Sequence, residues 1–364
     1  MRFYDSVDEV EIENSSICNA NCPQCLRESI PGNYTWFNQT YLPNEFFENK
    51  IPDSVYKKLK TILFVGTMGD PCAAPNFLDV IDIIKIKAPN ARIQISTNGG
   101  MKTPSFWRQL GEKLSSLGIN HEVQFAIDGL EDTNHIYRVN VNWQKLMENV
   151  SAFISAGGRA HWQFIVFKHN QHQVEEAKEF GKTLGFKQFV TRPSHRFFLD
   201  NLLQVVRYGS DNTVLQPPTI DEYVHYIAAQ DKENSSLQEW IQKSDNSCIE
   251  CSAQVYKSVY IDVAGRIFPC CYLAASLYSR KGLELKVQDL WEDLWKDHGD
   301  RRINLNYNNW EEILNGSFYK EIQDRWNKSY KEGRLAVCSV TCSKTNNKIS
   351  NPDDFSKFDR ENYN

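Results

Sequence analysis

The chain contains no apolar run near the roughly 20 residues that a bilayer-spanning helix needs, although it is 364 residues long. Its opening stretch, MRFYDSVDEVEIE, is acidic and lacks the apolar core of a signal peptide. No membrane association is therefore expected, and a cytoplasmic location follows. A basic excess is missing too: 41 Lys and Arg face 46 Asp and Glu, for a formal net charge of -5. Nucleic-acid binders usually carry a basic footprint, so no such partner is expected. No repeat with a solenoid period is present. Most tellingly, Cys18, Cys22 and Cys25 have no fourth cysteine beside them.

What the chain does hold is ten cysteines. Cytosolic thiols stay reduced, so that many points to metal binding or redox chemistry more than to disulfides. Hydrophobic residues make up 41% and charged residues 24%, as in ordinary globular proteins. The length suits one large or two modest domains.

The first half repeats one pattern. A short apolar run ends in Gly, Asn or Asp, and an amphipathic helical stretch follows. Strands are predicted at 9–18, 61–70, 91–100, 122–129, 160–170 and 186–193, with helices at 76–87, 105–118, 142–158 and 173–185. About six β/α units imply a parallel sheet with covering helices, α/β in class. Six is fewer than the eight of a closed barrel, so a partial barrel and a doubly wound sheet both fit. Either places the ligand site at the C-terminal strand ends. Residues 197–247 are polar and mixed and read as a bridge or cap. Residues 345–364 read as a polar, loose tail.

A structural zinc site needs four ligands in a closed tetrahedron. Three clustered thiols leave two readings: zinc completed by a distant fourth ligand, or an iron–sulfur cluster with one iron open to a non-protein ligand. The spacing is Cys, three residues, Cys, two residues, Cys, on a loop after the first predicted strand. In this feature the chain resembles the radical SAM superfamily. That resemblance covers roughly residues 9–195 and implies a partial (β/α)6 TIM-like barrel over 1–196. It also implies a 4Fe–4S cluster on Cys18, Cys22 and Cys25 that binds S-adenosylmethionine (SAM) through its unique iron. Reductive cleavage would then release a 5′-deoxyadenosyl radical.

Other strand ends carry matching motifs. GTMGDP, at 66–71, resembles the family's glycine-rich loop at the methionine amino group, which implicates Gly66, Gly69 and Asp70. STNGG, at 96–100, resembles its Thr-Asn-Gly turn, with Thr97 and Asn98. FAIDGLEDTNHIYRVN resembles the fourth-strand motif, which implies Asp128 for the ribose hydroxyls and Arg138 for the methionine carboxylate. Two positions depart from the pattern: Gln24 replaces an aromatic residue, and Ala126 replaces a serine. Read alone, each motif is a turn or a solvated cation. Their order behind the cysteine triad is what a zinc ribbon does not explain.

Cysteines return after residue 247. Between Cys251 and Cys270 the chain reads as a β-hairpin turning at Gly265, and Cys338 and Cys342 follow. This resembles the C-terminal auxiliary-cluster extension of radical SAM enzymes, in SPASM or twitch form, over 248–344. The resemblance implies an auxiliary 4Fe–4S cluster on Cys251, Cys270, Cys338 and Cys342. Only Cys72, Cys248 and Cys271 then remain, too few for a second such site, which selects the twitch form. Cys248 in place of Cys251, Cys271 in place of Cys270, and a four-cysteine zinc site stay open. Cys72 reads as a small buried hydrophobe.

Such a cluster in relatives accepts an electron from a substrate radical or orients substrate. Dehydrogenation or crosslink formation would also need a base, for which His195, Arg192 and His169 are candidates near strand ends. The substrate is a small molecule or a peptide. The absence of a domain resembling a leader-binding winged helix leans slightly to a small substrate, or to a protein recognised through another partner. A reductase or flavodoxin-type protein would supply electrons. The competing class is a non-catalytic iron–sulfur carrier or zinc-binding protein.

Overall fold

Alternating and β-branched runs form the strands, and each ends where Gly, Asn or Asp breaks the pattern. In the computed structural model the described residues are 4, 6–29, 39–118, 121–194, 215–223, 247–278, 301–343 and 361–362. His195 and most of the 197–247 segment lie outside them. The strands are β1 (Glu9–Ile12), β2 (Thr61–Phe64), β3 (Arg92–Thr97), β4 (Glu122–Ala126), β5 (Ala160–Val166), β6 (Gln188–Pro193), β7 (Ser258–Ile261), β8 (Ile267–Phe268) and β9 (Glu361–Asn362).

They form one sheet in the order β8-β7-β1-β2-β3-β4-β5-β6-β9. β1 to β6 run parallel and neighbour one another in chain order. A doubly wound sheet would reverse its strand order at a switch point. This sheet does not, so of the two expected architectures it is the open, partial barrel.

Helices α1 (Phe77–Lys87), α2 (Pro104–Ser116), α3 (Trp143–Ser155) and α4 (Val174–Leu184) follow β2 to β5. Their ends carry the expected signals. Pro104 opens α2, the Asn142 side chain accepts from Lys145 N ahead of α3, and Gly185 closes α4 at φ 92°. Between β1 and β2 the described residues form three short helices, Leu26–Ser29, Asn44–Asn49 and Asp53–Tyr56, which the sequence pattern does not signal.

The sheet's helix-facing side is aromatic. Phe125 of β4 lies 5.2 Å from Trp107 of α2 and 5.6 Å from Phe153 of α3, ring centre to ring centre. Trp162 of β5 meets Phe186 at 5.2 Å and Phe189 at 5.6 Å. Its indole N–H donates to the Ile127 carbonyl at 2.8 Å. The opposite, inner side is polar. Gln94, Ser96, Glu122, Gln124, His161 and Gln188 occupy alternate positions there and line a cavity of about 20 Å³, which also touches Arg192. That is space for about one water molecule. Glu122 closes the lower end: it pairs with Arg92, accepts from Gln94 Nε2 at 2.6 Å and lies 3.4 Å from His161 Nε2.

The predicted hairpin forms as β7 and β8, with Gly265 at φ 82° in its turn. Asp262 shapes that turn by accepting from Ala264 N and Arg266 N at 3.0 and 2.9 Å. β7 then pairs parallel with β1, so the hairpin extends the barrel sheet. Of the 345–364 tail, only Glu361 and Asn362 are among the described residues. Glu361–Asn362 pairs antiparallel with β6, whose outer edge offers unpaired backbone groups to any adding strand.

Trp162→Ala should lower unfolding stability by about 3–5 kcal/mol, the usual cost of deleting a buried large aromatic. Urea unfolding followed by circular dichroism measures it; a loss below about 1 kcal/mol would show that Trp162 is not a core residue.

Candidate active site

β1 runs out into Glu13, Asn14, Ser15 and Ser16, all fully buried, and the chain then emerges as the cysteine loop. The loop is held from several sides. Cys25 N donates to Cys22 O at 2.9 Å, closing a turn. Asn21 N donates to Val139 O at 3.0 Å and Asn19 Nδ2 to Asn140 O at 3.4 Å, pinning the loop to the segment after β4. Arg27 donates to the Cys18 carbonyl at 3.2 Å and to that of Ala20. Gln24 is buried, and its Oε1 accepts from Ser194 Oγ at 2.6 Å, which joins the loop to the end of β6.

Asp70, at the end of the β2 loop, organises the β3 turn. Its Oδ1 accepts from Cys72 N at 3.0 Å, its Oδ2 from Asn98 N at 2.8 Å, and both oxygens lie 2.9 Å from Thr97 Oγ1. Burial pushes its carboxyl up, and the Asn98, Thr97 and Cys72 donors oppose that shift. Asn98, so placed, directs Nδ2 to Cys18 Sγ at 3.4 Å. Ala20 N reaches the same sulfur at 3.4 Å.

Asp128, fully buried at the end of β4, accepts Arg138 Nε at 2.6 Å and Ile165 N at 2.6 Å. Arg138 Nη1 lies 3.5 Å from Cys22 Sγ. Asp70 and Asp128 therefore turn their carboxylates to protein donors and set the places of Asn98 and Arg138. Burial raises the Cys18 thiol to about 11 and the Cys22 thiol to about 12. Arg138 opposes the shift at Cys22, and the neighbouring thiols add to it.

Glycine is required in the β2 loop by close backbone contact. A Cβ on Gly69 would lie 2.1 Å from Ser15 O, and one on Gly66 would lie 1.8 Å from Gly69 O. Glu13 supports the same loop: Met68 N donates to its Oε1, and Tyr260 OH, from β7, to its Oε2 at 2.6 Å. The sequence reading passed over Glu13 and Tyr260, since only the parallel pairing of β7 with β1 brings them together. Asn170 lies just past β5. Its side chain accepts from Phe167 N at 2.7 Å and donates to Asp128 O and Ile165 O, each at 2.9 Å.

The later cysteines gather at the β7 edge. Cys251 precedes the short helix Ser252–Tyr256, Cys270 precedes the helix Cys271–Tyr278, and Cys338 and Cys342 stand one turn apart on Ala336–Cys342. Glu250 N donates to Cys342 O at 2.9 Å, tying two of these segments together. The neighbouring Cys342 thiol is the largest cause raising Cys251, and Cys251 the largest cause lowering Cys342 to about 5. Burial raises Cys338 and lifts Cys270 to about 12, and the charge of Cys342 adds to both. Cys248 is exposed, and Cys72 is fully buried.

Among the described residues, no three His, Cys, Asp or Glu side chains are arranged to hold a single metal ion. The donors are all thiols, which suit iron–sulfur clusters and zinc, and the sulfurs of Cys18 and Cys22 face N–H donors, as thiolates do. This donor set fits a cluster. Of the base candidates, Arg192 lies on the inner face, whereas His169 is half-buried with its ring stacked 5.3 Å from Phe167.

Residues 12–181 match the family model of the Radical SAM superfamily. The chain carries a radical SAM domain. Solved structures share its fold. Streptococcus suis SuiB bound to S-adenosylmethionine superposes with a TM-score of 0.51 at 15% identity, over 92% of this chain and 77% of that one. SuiB bound to precursor peptide SuiA gives 0.50 at 15% identity, over 92% and 76%. anSMEcpe with bound AdoMet gives 0.50 at 16% identity, over 92% and 85%. Against another SuiB crystal structure, with TM-score 0.49 and 16% identity, the match covers 80% of this chain and 65% of that one. No curated protein matches the sequence. Among the described residues, no helix is long and apolar enough to cross a membrane.

Burial pushes Glu13 from 4.5 to about 7, against its bonds from Tyr260 and Met68. The neutral form therefore favours the fold. This contribution to stability is full below about pH 4.5 and is lost as pH rises through about 7. Glu13→Gln keeps a neutral acceptor and should flatten that loss. Urea midpoints at about pH 5 and about pH 8 test it; an equal fall in wild type and variant would contradict it.

Proposed function

We propose that this protein is an enzyme that reductively cleaves SAM and uses the resulting 5′-deoxyadenosyl radical to take hydrogen from a substrate. The convergence of Asn98 and Arg138, from two different strand-end motifs, on the sulfurs of Cys18 and Cys22 carries this reading. A 4Fe–4S cluster held by Cys18, Cys22 and Cys25 would supply the electron for cleavage. Around it, the Gly66–Gly69 loop and the Thr97–Asn98 turn would wall the SAM pocket, and Asp70 and Asp128 hold Asn98 and Arg138 in place.

Cys251, Cys270, Cys338 and Cys342 are proposed to hold an auxiliary 4Fe–4S cluster that assists substrate oxidation or binding. The burial of Cys251 and the bond from neighbouring Glu250 N to Cys342 O support that set over one containing exposed Cys248. The substrate is a peptide side chain or a small molecule entering at the C-terminal strand ends, since Glu122 and its partners close the lower lumen. The fold's likeness to SuiB, crystallised with its precursor peptide, supports the peptide option. Arg192, on the inner face, is the candidate placed to orient a substrate inside the barrel, since its guanidinium stays protonated and donates rather than accepts.

The test is anaerobic reconstitution with iron and sulfide, then SAM and dithionite, with 5′-deoxyadenosine measured by chromatography. Wild type should form it; a Cys18→Ala, Cys22→Ala, Cys25→Ala variant should not. Zinc at both cysteine sites with no 5′-deoxyadenosine would overturn the reading.

A further inference from the structure

Arg138 is a largely shielded cation whose guanidinium lies over the Tyr137 ring, 5.2 Å from its centre, and meets two further groups. Its Nε lies 2.6 Å from Asp128 Oδ2, and its Nη1 lies 3.5 Å from Cys22 Sγ. The Asp128 side chain is 0% exposed and that of Arg138 13%, so solvent screens neither strongly. Cys18 has its own side-chain donor, Asn98 Nδ2 at 3.4 Å. Asn98 is fixed in turn, because its Oδ1 accepts from Gly100 N at 2.7 Å and its own N–H is bound to Asp70.

Resting on the function proposed above, we propose that Arg138 and Asn98 raise the reduction potential of the cluster on Cys18, Cys22 and Cys25 through N–H···S contacts, while Asp128 holds the Arg138 guanidinium on Cys22 and partly offsets its charge. One-electron reduction adds negative charge to the iron–sulfur core and its thiolates. A donor or cation beside sulfur stabilises the reduced form more than the oxidised one, which raises the potential. A buried anion does the reverse. The two members of this ion pair thus act on the cluster with opposite signs. Such positioning makes the electron easier to deliver from an external donor, independently of any contact Arg138 makes to SAM.

The experiment uses the full-length reconstituted protein without SAM, poised at graded potentials with dithionite and mediators and read by electron paramagnetic resonance. Iron and sulfide counts check loading, and loss in the triple cysteine variant assigns the signal. Arg138→Gln should shift the midpoint to lower potential, and Asp128→Asn should shift it higher. General loosening of the site would move both the same way. Shifts of equal sign, or none beyond replicate scatter, would overturn the inference. Where Arg138→Gln fails to retain the cluster, Asn98→Asp decides. It keeps the acceptor for Gly100 N, removes the donor to Cys18 and adds an anion, so a lower midpoint supports the inference and an unchanged one overturns it. A wild-type protein with iron and sulfide bound but no cluster signal from the triad would instead defeat the proposed function itself.

Discussion

The buried carboxylate of Asp70 joins three strand ends. Its backbone N–H donates to Ile17 O at 2.8 Å, next to Cys18, and its side chain receives donors from Cys72, Thr97 and Asn98. Burying a carboxylate is costly unless its oxygens are satisfied, so the loops after β1, β2 and β3 are constrained to meet around it. Gly69 allows the approach because a side chain there would strike Ser15 and Ser16. The place of Asn98 beside Cys18 follows from this meeting. The Asp128–Arg138 pair repeats the device at β4, with Asn170 bracing it from β5. In both cases an acid fixes a donor, and the donor faces a sulfur.

The two faces of the sheet divide the labour. Aromatic packing of Trp107, Phe125, Phe153 and Trp162 on the helix side gives the barrel a rigid wall. On the inner side, Gln94, Gln124, His161 and Gln188 form a hydrogen-bonding surface above the Glu122 floor. Rigidity behind and polarity within let the strand ends carry a precise set of side chains. The Glu13–Tyr260 bond extends the frame to the β7 edge, which leads through the hairpin to Cys270.

Much of this was legible in the chain. Runs such as ARIQIST and EVQFA alternate because one side packs on helices and the other faces the lumen, and that period places the strands. The helices from α1 to α4 follow from apolar spacing closed by Pro, Asn and Gly signals. The observed strands stop earlier than the apolar runs suggest, because the last residues of each run belong to the turns that carry the site. The C-terminal pairing of Glu361–Asn362 with β6 was not legible, since a polar tail carries no sign of which sheet edge it will meet.

The sequence by itself determined the β/α alternation, the cysteine spacing and the order of polar motifs, because each depends on neighbours within a few residues. Only the tertiary structure decided which residues those motifs touch. Strand order chose the open barrel over the doubly wound sheet. The parallel contact of β7 with β1 brought Tyr260 to Glu13 across 247 positions of chain. Folding brought Asp70 to Asn98 and Asp128 to Arg138, contacts that a local reading does not name. Contacts between residues so far apart depend on the closure of the whole sheet, and no local pattern encodes them.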